Sequence, residues 1–494
     1  MSMEAARWTE VTSSPFAHEA EGLAQIRALL PDVSPFRAWS NFEFRDGQGK
    51  WHEIDLLVLG RRRLHLVELK YYSGVLRGDD RTWLREGRPP EDSPLLLAHR
   101  KAQRLAGRFR DELQRWTNEV GRRPGERPHF IPFVQAAVYL HHPGFRCLLP
   151  SHCHPDLFSM PNGTRSSGLP GIDNRLLEVP EEDRAVSPQD EELVCALVAR
   201  IGLVQRRQRE AGSWLIEDAP IAEGDGYQDW PAFHRVAMTE RARIRFFVPA
   251  PGAPVAENTR VKRVVEHEFQ IMRGLQHDGL LRPLDLVETE LGTGLVFPDD
   301  DRYQRLDLWM AGHPEGLSLE TQLALVRQLA EALSYAHRRR IVHRGLVPGA
   351  IQVRDRVEGG PRALVSDWQT VGVVSGSTLR TSPTSAVRTL VGSGASRAPG
   401  EIPGSLSDAE GTLAEAFRAP EGVWSPDADR VRLDVFALGA LTYYIASGQP
   451  PATDRASLKV RLSRDNGLDL AEPFQKQPDI SQAIRNDRPG GSED

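Results

Sequence analysis

Little in this sequence points outside the ordinary interior of a cell. It has only three cysteines, Cys147, Cys153 and Cys195, which excludes a disulfide framework. No apolar run approaches the roughly 20 residues of a membrane span. The first residues, Met-Ser-Met-Glu-Ala-Ala-Arg, lack the apolar core of a signal peptide. Acidic residues outnumber basic ones, 68 to 62, and the net charge of -6 argues against a protein that coats nucleic acid with its whole surface. A local basic face stays open. The expected compartment is the cytoplasm, with no membrane partner. The 494 residues, 40% hydrophobic and 26% charged, suit two or three globular domains.

Residues 53–70 carry the densest chemistry. Two apolar runs, Ile54 to Leu59 and Leu64 to Leu69, flank Gly60 and three arginines, Arg61, Arg62 and Arg63. They read as two buried strands joined by a tight basic turn. Asp55 opens the first run, and Glu68-Leu69-Lys70 closes the second. Residues two apart on a strand share a face, so Glu68 and Lys70 project together. A hairpin brings Asp55 to the same end. Two carboxylates and an ammonium then meet where a buried sheet reaches solvent. Such a set suits phosphodiester hydrolysis with Mg²⁺ or Mn²⁺, hard cations held by carboxylate oxygens. Glu-x-Lys alone is more often a surface salt bridge; the Asp on the preceding strand strengthens the signal.

The series Asn41-Phe42-Glu43-Phe44, Glu53-Ile54-Asp55-Leu56-Leu57-Val58 and Val67-Glu68-Leu69-Lys70, followed by Gly74 and Trp83, resembles a NERD (nuclease-related) domain of the PD-(D/E)xK nuclease superfamily. The resemblance covers about the first 115 residues. It implies that Asp55 and Glu68 are metal ligands, that Lys70 is the catalytic lysine, and that Glu19 takes the helical acidic position. On the residues alone, Glu19 is equally an exposed carboxylate favoured by a helix N-terminus.

Around this stretch the pattern gives a helix over Glu19–Leu30, a strand over Trp39–Phe44 and a turn at Asp46-Gly47-Gln48-Gly49. A helix from about Leu95 to Trp116 and a strand over Phe130–Leu140 follow. The long helix carries Arg100, Lys101, Arg104, Arg108 and Arg110. With Arg61, Arg62 and Arg63, its Arg100, Lys101 and Arg104 are the candidate contacts to a nucleic-acid backbone, DNA in the first instance. A basic helix face is more often only solvated. His141, His142, Cys147, His152, Cys153 and His154 match no standard zinc spacing. A helix from Asp190 to about Gln208 ends in a basic run, and the domain boundary is placed near Ala211-Gly212.

The second half resembles a protein kinase. Val342-His343-Arg344-Gly345-Leu346 follows a helix with Leu319, Leu323, Val326, Leu329 and Leu333 on one face. Ser366-Asp367-Trp368, Ala419-Pro420-Glu421 and Asp434-Val435-Phe436-Ala437-Leu438-Gly439 come after it. These are similar, in order, to the catalytic loop, metal-binding loop, Ala-Pro-Glu motif and central C-lobe helix. The resemblance implies that Glu268 is the glutamate of helix αC, that Arg245 stands for the ATP-anchoring lysine and that Asp367 binds Mg²⁺. ATP binding through Arg245, Glu268 and Asp367 is thus expected. Trp368-Gln369 replaces Phe-Gly, and Gly224-Asp225-Gly226 is at best a shortened glycine-rich loop. Gly345 stands where the substrate hydroxyl's proton acceptor belongs, and Val347 and Ala350 replace the loop's lysine and asparagine. These losses point to a pseudokinase. The segment Ser375 to Ser385 reads as a disordered spacer or an activation-loop insertion open to phosphorylation.

The expected fold class is therefore multidomain. An α/β PD-(D/E)xK nuclease-like domain over 1–210, core about 15–140, precedes a bilobal α+β kinase-like domain over 211–494, with N-lobe to about 300. Too little helical sequence follows Gly439 for a whole C-lobe, so a truncated lobe, or an N-terminal piece of a larger protein, is expected. The combination resembles the NERD-kinase components of bacterial phage-growth-limitation and BREX-type defence systems, which implies other defence proteins as partners. Two further readings stand beside the nuclease: an active Ser/Thr kinase located by a non-catalytic NERD domain, and a non-enzymatic scaffold.

Overall fold

The computed structural model describes residues 3–4, 6–120, 129–161, 167–177, 183–224, 226–248, 253–368, 372–373, 414–420, 429–465 and 467–469. The chain divides into two compact units, Met1–Val236 with Val248–Ala253, and Ala237–Phe247 with Pro254–Asp494. Each mixes helix and strand, so the protein is a multidomain α/β chain. The strands Arg209–Ala211, Trp214–Ile216 and Tyr227–His234, beyond or at the boundary read near 211, lie in the first unit. There the Gln228 side chain bonds both the N–H and the carbonyl of Trp51, at 2.9 and 2.8 Å.

The first unit is built on a sheet in the order β1 (Trp8–Glu10), β2 (Arg37–Arg45), β3 (Trp51–Leu59), β4 (Arg63–Lys70), β8 (Phe133–Leu140) and β10 (Leu157–Ser159). Strands β2, β3 and β4 form an antiparallel meander, and β8 pairs parallel to β4. A smaller sheet combines β5 (Gly74–Gly78), β6 (Thr82–Arg85), β7 (Glu91–Asp92) and β9 (Phe145–Cys147). The helices α1 (Ala17–Leu29) and α2 (Pro94–Val120) complete the frame.

The largely apolar runs of β3 and β4, with Asp55, His65 and Glu68 also buried in them, are those of strands buried on both faces. Alternate residues serve alternate cores. Leu57, Leu59, Leu64 and Leu66 pack with Ala98, Leu105 and Phe109 of α2, while Leu56, Val58 and Val67 pack with Leu23 and Ile26 of α1. A one-residue slip would exchange the two sets, so the register is strongly held. The hairpin closes where the Gly60 N–H donates to the Arg63 carbonyl at 2.9 Å.

One expected element is corrected. The helix read to Gln208 covers only Pro188–Ile201, because Gly202 takes a left-handed conformation (φ 75°) and caps it. Val204–Gln205 then pairs antiparallel with β2.

In the second unit, Arg241–Phe247 pairs antiparallel with Gly292–Pro298, which pairs with Asp285–Thr289, beside the helix Val255–Arg273. The helix Leu319–Arg338 buries Leu325, Leu329 and Leu333 with Ala437, Leu441 and Ile445 of the helix Arg430–Ser447. Leu323, read as part of that face, is half exposed. Glu421, Gln369, Asp225, the Ser375–Ser385 segment and the C-terminal tail lie outside the described residues. Among the described residues no helix is long and apolar enough to cross a membrane.

Candidate functional site

The β3–β4 register pairs Leu56 with Val67, which sets Asp55 beside the Glu68-Leu69-Lys70 end of the hairpin. Asp55 Oδ2 accepts the Leu69 N–H at 2.8 Å. Glu68 and Lys70 share a face and form an ion pair at 2.8 Å. From α2, Lys101 Nζ reaches Glu68 Oε2 at 2.8 Å and Glu53 Oε2 at 3.6 Å. Glu53 precedes Asp55 by two residues and shares its face. The fourth carboxylate is Glu19, buried in the first turn of α1.

A cation that the sequence reading missed joins them. Arg206 places NH1 3.3 Å from Glu19 Oε1 and NH2 2.9 Å from Asp55 Oδ1, and NH2 also pairs with Glu53. Its backbone N–H donates to Thr12 Oγ1 at 2.9 Å. The strand beside it is seated by Arg209, which forms a deeply buried pair with Glu43 of β2. The centre thus sets Glu19, Glu53, Asp55 and Glu68 against Lys70, Lys101 and Arg206. Glu53 was legible as a same-face neighbour of Asp55. Arg206 had no local signal.

Electrostatics separates the two principal carboxylates. Burial, then Glu68 and Glu53, push the Asp55 carboxyl up to about 7. Burial acts on Glu68 in the same sense, but Lys101 and Lys70 overcome it and hold that carboxyl at about 2. Glu19 is raised by burial and by Asp55. Burial opposes charge on Lys70 and Lys101, yet the carboxylates, Glu68 first, raise both. Lys70 is the more open, about a quarter exposed against 3% for Lys101.

Of the six cations read as backbone contacts, Lys101 belongs to the centre itself and is buried. Arg61, Arg62 and Arg63 sit at the far end of β4, on the order of 20 Å from Lys70 by strand rise. Arg62 and Arg63 bond Asp183 there. Arg104 lies 3.4 Å from Glu223 and 3.7 Å from Asp46, and Arg100 lies 4.0 Å from Glu223. Among the described residues no three His, Cys, Asp or Glu side chains are grouped to hold a metal ion as folded. At this centre the carboxylate oxygens face ammonium and guanidinium groups.

The second unit holds a second carboxylate centre. Asp434, fully buried, accepts the His343 and Arg344 backbone N–H groups, both at 2.7 Å, and fixes the loop that carries Gly345. Arg344 and Asp367 both have positive φ, 65° and 60°, a strained conformation that clusters at functional loops. Asp367 Oδ1 lies 3.1 Å from Arg245 and 3.3 Å from Arg243. Burial opposes its charge, but Arg245 and Arg243 hold its carboxyl below the usual range. Glu268 is 1% exposed, and neither carboxylate oxygen has a hydrogen-bond partner. Burial pushes that carboxyl well above the ordinary range, with Arg245 opposing. Arg245 is therefore turned to Asp367, and Glu268 is left without a hydrogen bond.

Residues 15–140 match the family model of the nuclease-related domain, NERD. Along 99% of its length the chain is 30% identical to the probable kinase PglW of Streptomyces coelicolor, of which it spans 30%. It is 24% identical over 219 residues to a SNF-related serine/threonine-protein kinase of Rattus norvegicus, covering 44% of this chain and 25% of that one. With the Aurora kinase of Schizosaccharomyces pombe it shares 23% identity over 257 residues, 51% of this chain and 61% of that one. The chain is a NERD nuclease-related domain fused to a protein-kinase-like region, and it resembles PglW over nearly all its length.

Proposed function

We propose that the first unit is a metal-dependent nuclease centre of PD-(D/E)xK type, with DNA as substrate. The observation that carries this reading is the convergence of Asp55, Glu68 and Lys70 at one end of the β3–β4 hairpin, with Glu19, Glu53 and Lys101 around them. The donor set fits a hard divalent cation, since it is all carboxylate oxygen and Asp55 sits in surplus negative charge. Asp55 and Glu68 would hold Mg²⁺ or Mn²⁺ once Arg206 has swung away. Bound there, the ion would polarise the phosphate and acidify a water. Glu68 stays ionised because two lysines face it. Lys70, at the open edge, meets the incoming phosphate and offsets charge developing on its oxygens. Lys101, deeper, keeps Glu68 in place.

For the second unit we propose a bilobal, kinase-like regulator that binds ATP through Arg245, Glu268 and Asp367 without efficient phosphotransfer. Positioning and electrostatics do most of the work in phosphoryl transfer. Here Gly345, Val347 and Ala350 supply neither, and two arginines hold Asp367. The kinase names of the relatives favour the alternative of an active enzyme. The resemblance to phage-growth-limitation proteins supports a role in bacterial defence, with other defence proteins as partners.

The test uses supercoiled plasmid with Mg²⁺ or Mn²⁺, with and without ATP, beside Asp55→Ala and Lys70→Ala. The expected result is metal-dependent nicking that falls by about a hundredfold or more in each variant. No cleavage of the plasmid or of single-stranded DNA under any condition would sink the hydrolytic reading and leave a scaffold. An effect of ATP would make the second unit a regulator of the first.

A further inference from the structure

A row of aromatic rings runs out of the core packed on α1 and ends in solvent beside the carboxylate centre. It starts at Tyr139, fully buried on β8, whose ring stacks on His141 at 5.3 Å and 26°. His141 packs at 5.1 Å against Tyr71, which also meets His142 edge-on at 4.6 Å. Tyr71 stacks on His18 at 5.0 Å and 26°, and His18 stacks on Phe16 at 5.5 Å and 27°. The outer members are open, with Phe16 54% and Tyr71 39% exposed and His18 exposed as well.

This row is covalently tied to the centre at two points. His18 immediately precedes Glu19, and Tyr71 immediately follows Lys70. The inner end is fixed: the His141 N–H donates to the Lys70 carbonyl at 3.2 Å, and the Tyr139 hydroxyl donates to Gln25 at 2.6 Å. At the outer end, Ser14 Oγ both accepts the Phe16 N–H and donates to the Phe16 carbonyl. The rings are thus ordered before any ligand arrives. Phe16, His18 and Tyr71 together form one contiguous exposed ring surface at the outer end of the stack, unlike a single exposed apolar side chain. Every nucleobase has a π-face, and stacking on protein aromatics is tolerant of sequence. A base reaches such a ring only when it is unpaired.

We propose that Phe16, His18 and Tyr71 form a stacking platform for unpaired nucleobases, which extends the column while the adjoining phosphate lies at Lys70. The substrate class is then single-stranded nucleic acid, or a frayed or flapped end of a duplex. This deepens the nuclease reading and rests on it for the position of the phosphate. The neutral imidazole of His141, held down to about 4 by burial with His18 and His142, suits it to a ring spacer and not a charge.

The test is fluorescence anisotropy of the full chain in EDTA, where no cleavage occurs, with short oligodeoxythymidylate, short oligouridylate and a duplex of matched length. Wild-type protein is expected to favour the single strands over the duplex. Phe16→Ala and Tyr71→Ala are each expected to weaken single-strand binding by about tenfold, from the ordinary size of one stacking contact. Tyr71→Phe should restore it. Duplex binding should be nearly unchanged, and circular dichroism should show all variants folded, since both side chains are exposed. The two single strands tell deoxyribose from ribose substrates. Equal losses for single strand and duplex, no loss in Tyr71→Ala, or a wild-type preference for duplex would overturn the platform. Plasmid cleavage with ring-independent binding would overturn it and spare the nuclease. Ring-dependent binding without cleavage in any metal would do the reverse.

Discussion

In the first unit Arg206 lies on Asp55, Glu53 and Glu19; in the second, Arg243 and Arg245 lie on Asp367. Both centres set guanidinium groups against the carboxylates that the family resemblances assign to a metal. They differ in balance. The first has four carboxylates against three cations, and burial, followed by the neighbouring Glu68 and Glu53, raises Asp55. The second turns two arginines on a single carboxylate, while Glu268, buried and without a hydrogen bond, is pushed towards its neutral form. By this count of charges the first environment suits a divalent cation better than the second, although each looks alike as an arginine on an aspartate. The lesson is that a motif position names a ligand only after its neighbours' charges are counted.

The largest effect expected from breaking this comparison is at Lys101. Its pair with Glu68 is buried on both sides, 3% and 4% exposed. Lys101→Met should cost about 3–5 kcal/mol by urea denaturation, because a buried charge loses a partner. Arg243→Met in the second centre, where Asp367 is a quarter exposed, should cost no more than ~1 kcal/mol. Similar losses at both would mean that the first centre is no more buried in practice than the second.

Next comes Asp55→Asn. A carboxyl raised from 3.8 to about 7 on folding binds its proton more tightly in the folded state. Ionisation therefore destabilises the fold, with no penalty below pH 4, a growing one between pH 4 and 7, and the full one above. Asparagine removes it. The variant should be more stable than wild type at pH 8, by on the order of 2–4 kcal/mol, and the gap should close towards pH 4. A gap that does not change with pH would refute the raised Asp55 carboxyl.

Arg206→Gln should act more gently. With the guanidinium gone, Mn²⁺ followed by electron paramagnetic resonance should bind about tenfold tighter, ~1.4 kcal/mol. Unchanged or weaker binding would mean that Arg206 does not compete for the carboxylates. The same residue marks what the sequence could not disclose. The hairpin, its turn at Gly60 and the meeting of Asp55, Glu68 and Lys70 followed from apolar runs and a period of two. Local patterns of that kind are written in neighbouring residues. Arg206 arrives from 151 positions away, immediately after a two-residue strand added to β2. Helical periodicity had carried the preceding helix straight through Gly202. Lys101 was read as a surface cation because a basic helix looks the same from sequence whether its lysine meets water or Glu68.

The smallest change is expected at Gly345. Restoring a carboxylate there with Gly345→Asp should leave ATP-dependent phosphate incorporation at background. The loop backbone is already in place, since Asp434 holds the N–H groups of His343 and Arg344 at 2.7 Å. The missing parts lie elsewhere: Val347 and Ala350 offer no charge or metal ligand, and Arg245 spends its guanidinium on Asp367. A proton acceptor alone contributes little when the γ-phosphate is neither neutralised nor positioned. Measurable incorporation by Gly345→Asp, lost again on Asp367→Asn, would break the comparison at its root. It would show that Arg243 and Arg245 yield Asp367 to a metal-bound nucleotide, and that the second centre is a kinase lacking one side chain.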